Sequence, residues 1–96
     1  MRRIWAAAIV MSAIAAAAVA SAEPPAGASS CTGCHPTSTR VTSPMLRLNG
    51  LDQAQIVRAL QEFRAGRRTG TVMDRIAKGF TDPEIQAIAA WYAAQK

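Results

Sequence analysis

The sequence predicts an all-α fold, built as one small domain. Three observations lead there. No stretch alternates apolar and polar residues for long enough to make a strand, and no internal repeat is visible. Two stretches, "LDQAQI" and "FTDPEI", carry the same set of helix-start signals. Large apolar side chains are sparse beyond residue 22, which suits short helices around a thin core rather than a broad sheet sandwich.

The chain of 96 residues begins with Met1-Arg2-Arg3 and continues through an uncharged, alanine-rich run from Ile4 to Val19. Basic-then-apolar order, followed by the small residues Ala20-Ser21-Ala22, is the pattern of a cleaved secretory signal, so residues 1–22 are read as a signal peptide. As an uncleaved anchor the run falls short of the roughly 20 residues that a bilayer span needs. Export to the periplasm is the expectation, with residues 23–96 as the mature domain and no stable membrane insertion once the signal is gone.

Cleavage there leaves 74 residues, enough for one domain but too few for a generous core unaided. It also removes Arg2 and Arg3, so 9 basic residues face 6 acidic ones and the net charge falls from +5 to +3. Most of the cations lie between Arg40 and Lys78, without the run of interleaved aromatic residues that a single-strand stacking surface would require. Nucleic acid is therefore not the expected partner; an acidic protein surface is.

"EPPAGASS" is a proline- and alanine-rich lead with room for no more than a stub of helix before Cys31. "HPTSTRVTSP" reads as loop, bracketed by Pro36 and Pro44. The first long helix is expected from about Gln53 to Ala65, capped by Asp52 with Gln55 returning a bond, and stapled by Leu51 and Ile56. Ile56, Leu60 and Phe63 form its buried stripe with Val57 alongside, and Gly66 is placed to end it. "TVMDRIAKG" predicts a short helical turn stopped by Gly79. The closing helix is expected to start at a Thr81/Glu84 capping box, with Pro83 in its first turn and a Phe80/Ile85 staple, and to run nearly to Lys96.

"CTGCH", residues 31–35, concentrates both cysteines and the chain's one histidine in five positions. A structural zinc site would need a second pair of ligands elsewhere, and the chain has none. A thioredoxin-like redox pair would need a βαβ setting, and a plain disulfide accounts neither for the adjacent His35 nor for the thin core. Covalent haem accounts for all three. Cys-x-x-Cys-His spaces two thiols for thioether bonds to the two vinyl groups of a porphyrin and presents the next imidazole to the iron. Cys31 and Cys34 are thus the expected attachment points of one haem c, and His35 the expected proximal ligand.

At this point the sequence resembles the class I cytochromes c over essentially the whole of residues 23–96. "CTGCH" matches their attachment motif, "GLDQAQIVRALQEFRAGRR" their middle helix, "VMDRIAKGF" the segment that bears their methionine ligand, and "TDPEIQAIAAWYAAQ" their closing helix. The stretch "TGTVMDRIAKGFTDPEIQAIAAWYAAQ" is further similar to the haem domain of the cytochrome subunits of flavocytochrome c sulfide dehydrogenases. The chain departs from the family at Pro36, where glycine is common, and in the shortness of the segment before Cys31.

The resemblance implies Met73 as the second axial ligand of the iron, a soft thioether donor that favours the ferrous state. Met73 lies 38 residues after His35, beyond the long helix; Met45, ten residues after His35, and Lys78 are the lesser candidates. It also implies that the Pro44 carbonyl accepts the other N–H of His35, that Leu46, Leu48, Leu60, Phe63 and Ile76 line the haem, and that Trp91 packs on the N-terminal stub. Arg64, Arg67, Arg68, Arg75 and Lys78 are candidates for the rim of a docking face. The function implied is periplasmic one-electron transfer with no catalytic residue of the chain's own. The partner would be another redox protein: a sulfide-oxidising flavoprotein if the chain is a dehydrogenase subunit, or several if it is a free-standing diffusible carrier. A haem enzyme or gas sensor would need an open iron site and hence a Met73 that does not bind.

Overall fold

A computed structural model describes residues 23–95; the N-terminal signal reading and Lys96 lie outside the described residues. The elements are α1 (Ala28–Cys31), α2 (Gln53–Arg64), α3 (Met73–Ile76), a 3-10 turn (Ala77–Gly79) and α4 (Asp82–Ala94), with no strand among the described residues. None of these helices is long and apolar enough to cross a membrane.

The two long helices begin where their caps require. At α2 the Asp52 carboxylate accepts the Ala54 N–H at 3.0 Å; Gln55 returns no bond, so this cap is single rather than reciprocal. At α4 the box is complete: Thr81 Oγ1 accepts the Glu84 N–H, the Glu84 carboxylate accepts the Thr81 N–H, and Pro83 sits in the first turn. The same bonds to Thr81 hold the Glu84 carboxyl below the usual carboxylate range. Helix α2 stops at Gly66, whose φ of 74° lies in the left-handed region.

Packing of α4 on α2 forms the centre of the domain. Ile85, Ile88, Ala89 and Tyr92 recur at the i, i+3, i+4, i+7 spacing of one helical face and are all buried. Ile88, Ala89 and Tyr92 meet Ile56 of α2 and Ala28 of α1, with Leu48, Leu51, Val57, Leu60, Phe80 and Trp91 closing around them. The stub α1 fits because Gly27, with φ 86°, has no Cβ to collide with the Phe80 ring.

Tyr92 ties the last helix to the first by a hydrogen bond, beside the packing of Trp91 on the same cluster. The Tyr92 hydroxyl donates to the Ala28 carbonyl at 2.5 Å inside the core, while Trp91 lies at the edge of the cluster, edge-on to the Tyr92 ring. Successive helical residues point about 100° apart, and the buried stripe passes through 92, not 91. Burial, with the Cys31 thiol adding to it, pushes the Tyr92 phenol up to about 12. The folded state thus favours the neutral phenol, whereas an unfolded tyrosine titrates near 10. Stability from this group is complete below about pH 10 and is expected to fall as the pH rises toward 12. Denaturant midpoints measured across that range should show the decline, and Tyr92→Phe should flatten it while costing about 1–2 kcal/mol at neutral pH through the unpaired Ala28 carbonyl.

Candidate functional site

The motif at 31–35 continues the helical turn that α1 begins. The Cys31 carbonyl accepts both the Cys34 N–H, at 3.2 Å, and the His35 N–H, at 2.9 Å. Cys31, Cys34 and His35 therefore stand at i, i+3 and i+4 of one turn, the spacing that places three side chains on one face. Both thiols are free. Cys31 is half-buried with its Sγ 3.8 Å from the Gly27 carbonyl; burial pushes its thiol up, partly offset by the Tyr92 hydroxyl. Cys34 is exposed.

His35 Nδ1 lies 2.5 Å from the Leu46 carbonyl. The carbonyl can only accept, so Nδ1 carries the proton and Nε2 keeps a lone pair free for a metal. The structure corrects the acceptor expected here: it is Leu46, two residues beyond Pro44. The Met45 N–H bonds to Ser43 Oγ and turns the chain at Pro44, and the Arg47 side chain bonds the Thr37 carbonyl, so the loop returns to the histidine one step later than the proline.

Met73 opens α3 and is partly buried. Its segment packs on α2, where Gly70 brings the backbone close to Phe63: a Cβ at 70 would lie 2.8 Å from the Phe63 ring and 3.4 Å from the Met73 Cβ. The other expected lining residues divide into two groups. Leu48 and Leu60 pack against the core cluster, whereas Leu46 and Ile76 stay largely uncovered. Of the expected rim cations, Arg64 is engaged with the Phe80 carbonyl and Asp82, and Arg68 pairs with Glu62 at 2.9 Å over the face of Phe63. Arg67, Arg75 and Lys78 remain exposed. The tie made by Arg64 was not legible as such, although its i+16 and i+18 partners flank the capping box that the sequence does reveal.

A bulky apolar group fits these residues. Val41, Met45, Leu46, Val72 and Ile76 are 43–59% exposed, a concentration of large apolar side chains that a domain this small does not leave in water without a reason. A separate hollow of about 410 Å³ beside Cys34 is lined largely by the hydroxyl residues Thr37, Ser38, Thr42 and Ser43 of loop 36–44 and does not include His35 or Met73. Two cysteines not joined to each other, an imidazole with Nε2 available and several exposed apolar side chains suit a flat hydrophobic ring that is attached through sulfur. A helical frame with these features has the build of a covalent haem carrier.

Comparison with known proteins agrees. No family model matches the chain. It is 43% identical over 63 residues to the cytochrome subunit of sulfide dehydrogenase from Chlorobaculum tepidum, a match covering 66% of this chain and 57% of that protein. It is 31% identical over 64 residues to cytochrome c-552 of Acidithiobacillus ferridurans, covering 67% of this chain and 28% of that one. It is 30% identical over 70 residues to cytochrome c-554(548) of Halomonas halodenitrificans, covering 69% of this chain and 84% of that protein. The chain belongs to the cytochrome c family, and its prosthetic group is covalently bound haem c. It spans little more than half the length of the first of these relatives and under a third of the second.

Proposed function

We propose that residues 23–96 form a monohaem electron-transfer domain, exported to the periplasm after loss of residues 1–22, in which Cys31 and Cys34 would carry the thioethers and His35 and Met73 would supply the protein ligands of the iron. The observation that carries this reading is the single turn in which the Cys31 carbonyl gathers the Cys34 and His35 N–H groups, presenting two sulfurs and an imidazole together. Bound haem c supplies reversible one-electron chemistry between its ferric and ferrous states. The chain's residues do the rest. The Leu46 carbonyl fixes the His35 tautomer and, by accepting a hydrogen bond from its Nδ1–H, makes the imidazole a stronger donor. With His35 and Met73 both held by the iron, no coordination position would be left for a substrate, and the role of the chain would be electron transfer alone. Val41, Leu46, Val72 and Ile76 keep water from the ring, which limits charge reorganisation on each transfer.

A sulfide-oxidising flavoprotein is the electron donor this reading favours, supported by the 43% identity to a cytochrome subunit of sulfide dehydrogenase. Native purification tests it: flavin absorbance should co-elute with the haem, and a cytochrome that elutes alone would instead be a free-standing carrier, as the exposed Arg67, Arg75 and Lys78 would suit. The role of Met73 is tested separately. Met73→Leu is expected to give a ferrous protein that binds carbon monoxide tightly where the unaltered protein binds it poorly, and to lower the reduction potential, because a soft donor to the ferrous state is lost. An unaltered protein that already takes up carbon monoxide readily would point to an open iron site and a sensor or enzyme role.

A further inference from the structure

The segment that carries Met73 is fastened at both ends to one turn of α2. At its near end Gly70 lets the backbone approach Phe63 more closely than any side chain there would allow, with the Met73 Cβ alongside. At its far end Arg64 Nη1 donates to the Phe80 carbonyl at 3.1 Å, and Arg64 Nη2 pairs with the Asp82 carboxylate in the first turn of α4. Phe63 and Arg64 are consecutive residues of the last turn of α2. Between the two ends the bonds are local turns: the Arg75 and Ile76 N–H groups to the Val72 carbonyl, and the Phe80 N–H to the Ala77 carbonyl. Ala77 is fully buried, but a single methyl group contributes little grip. Arg64 is 30% exposed while Asp82 is 66% exposed, so solvent screens the ion pair and the bond to the Phe80 carbonyl carries more of the tie.

We propose that Arg64 is a positioning residue for the Met73 thioether, holding the strap 70–80 against α2 so that the sulfur stays in place. This rests on the reading of Met73 as an iron ligand. A neutral thioether is a weak donor to ferric iron, so it keeps its place only as far as the chain confines it. Releasing one end of an eleven-residue strap returns backbone freedom to the open state and raises its population. A competing ligand then gains apparent affinity in proportion to that population.

The test is imidazole binding to the oxidised holoprotein, followed by loss of the weak far-red absorption that a thioether bound to ferric iron produces. Arg64→Met is expected to raise imidazole affinity about tenfold or more, in line with the loss of a charge-assisted hydrogen bond. Arg64→Lys, which keeps the charge but loses the forked reach to both oxygens, should raise it about threefold. Tyr92→Phe, which also lowers stability but leaves the strap alone, should leave it unchanged. An Arg64→Met protein within about twofold of the unaltered one, or a Tyr92→Phe protein shifted as much as Arg64→Met, overturns the proposal by reducing Arg64 to general stability. If Arg64→Met fails to accumulate with haem, Arg64→Lys decides on the same criterion. Absence of the far-red absorption from the unaltered protein would instead overturn the Met73 reading, and the role of Arg64 with it.

Discussion

A double variant, Cys31→Ser with Cys34→Ser, made in a host that matures c-type cytochromes, is expected to contain no haem that stays with the protein in acidified acetone. Serine hydroxyls keep the shape of the turn but cannot add to a vinyl group, so both tethers are lost. The consequence reaches the fold. The buried core of the described residues consists of three alanines, three isoleucines and Tyr92, and the large apolar residues Val41, Met45, Leu46, Val72 and Ile76 remain about half in water. Covering a half-exposed aliphatic side chain is worth on the order of 1 kcal/mol, so five of them rival much of the roughly 4–11 kcal/mol that a domain of this length possesses. Far-ultraviolet circular dichroism of the double variant should therefore show a loss of helix, not only of colour. Each single variant should keep one tether and retain pigment at reduced yield. Pigment that resists extraction from the double variant would sink the assignment of both cysteines.

Much of this arrangement could be read in the sequence where local chemistry decides the outcome. Asp52, Gly66, Thr81, Glu84 and Pro83 mark the ends of α2 and α4 because caps act over three or four residues, and the helices begin and end where those residues stand. The 31–35 motif is equally local, one turn held by one carbonyl. Legibility fails where the answer depends on how a loop travels. Ten residues separate His35 from Met45, and which carbonyl meets Nδ1 depends on the turn at Ser43–Met45 and on the Arg47 bond to Thr37, so Leu46 took the place expected of Pro44. Trp91 packs on the cluster that contains Ala28, as expected, but the hydrogen bond from Tyr92 beside it was not foreseen. Continuing the spacing Ile85, Ile88, Ala89 by one step reaches Tyr92, and that signal was present in the sequence. Arg64 looked like a free surface cation because its partners are 16 and 18 residues away across the strap, beyond the reach of any helical periodicity.

Ile88→Ala is expected to cost about 3–5 kcal/mol, a large loss for a single apolar truncation in α4. Ile88 is 2% exposed where α4 meets α2, and its neighbours in the cluster include Ala28 and Ala89, whose methyl groups cannot swing into the space it vacates. The volume removed should stay as a cavity, and cost rises with the volume that fails to collapse. Ile88→Val, one methylene smaller, should cost about 0.5–1.5 kcal/mol and serves as the graded control. Guanidinium unfolding of the oxidised holoprotein, followed by circular dichroism, measures both; a loss below about 1 kcal/mol for Ile88→Ala would mean that the α2–α4 contact is not the centre of the fold. The site should feel the same truncation, since Asp82, the outer partner of Arg64, sits in the first turn of α4. A helix α4 that packs loosely on α2 holds one end of the Met73 strap less firmly, so Ile88→Ala is expected to raise imidazole affinity by less than Arg64→Met does. That order follows because the bond from Arg64 to the Phe80 carbonyl survives the loss of Ile88 and is lost with Arg64.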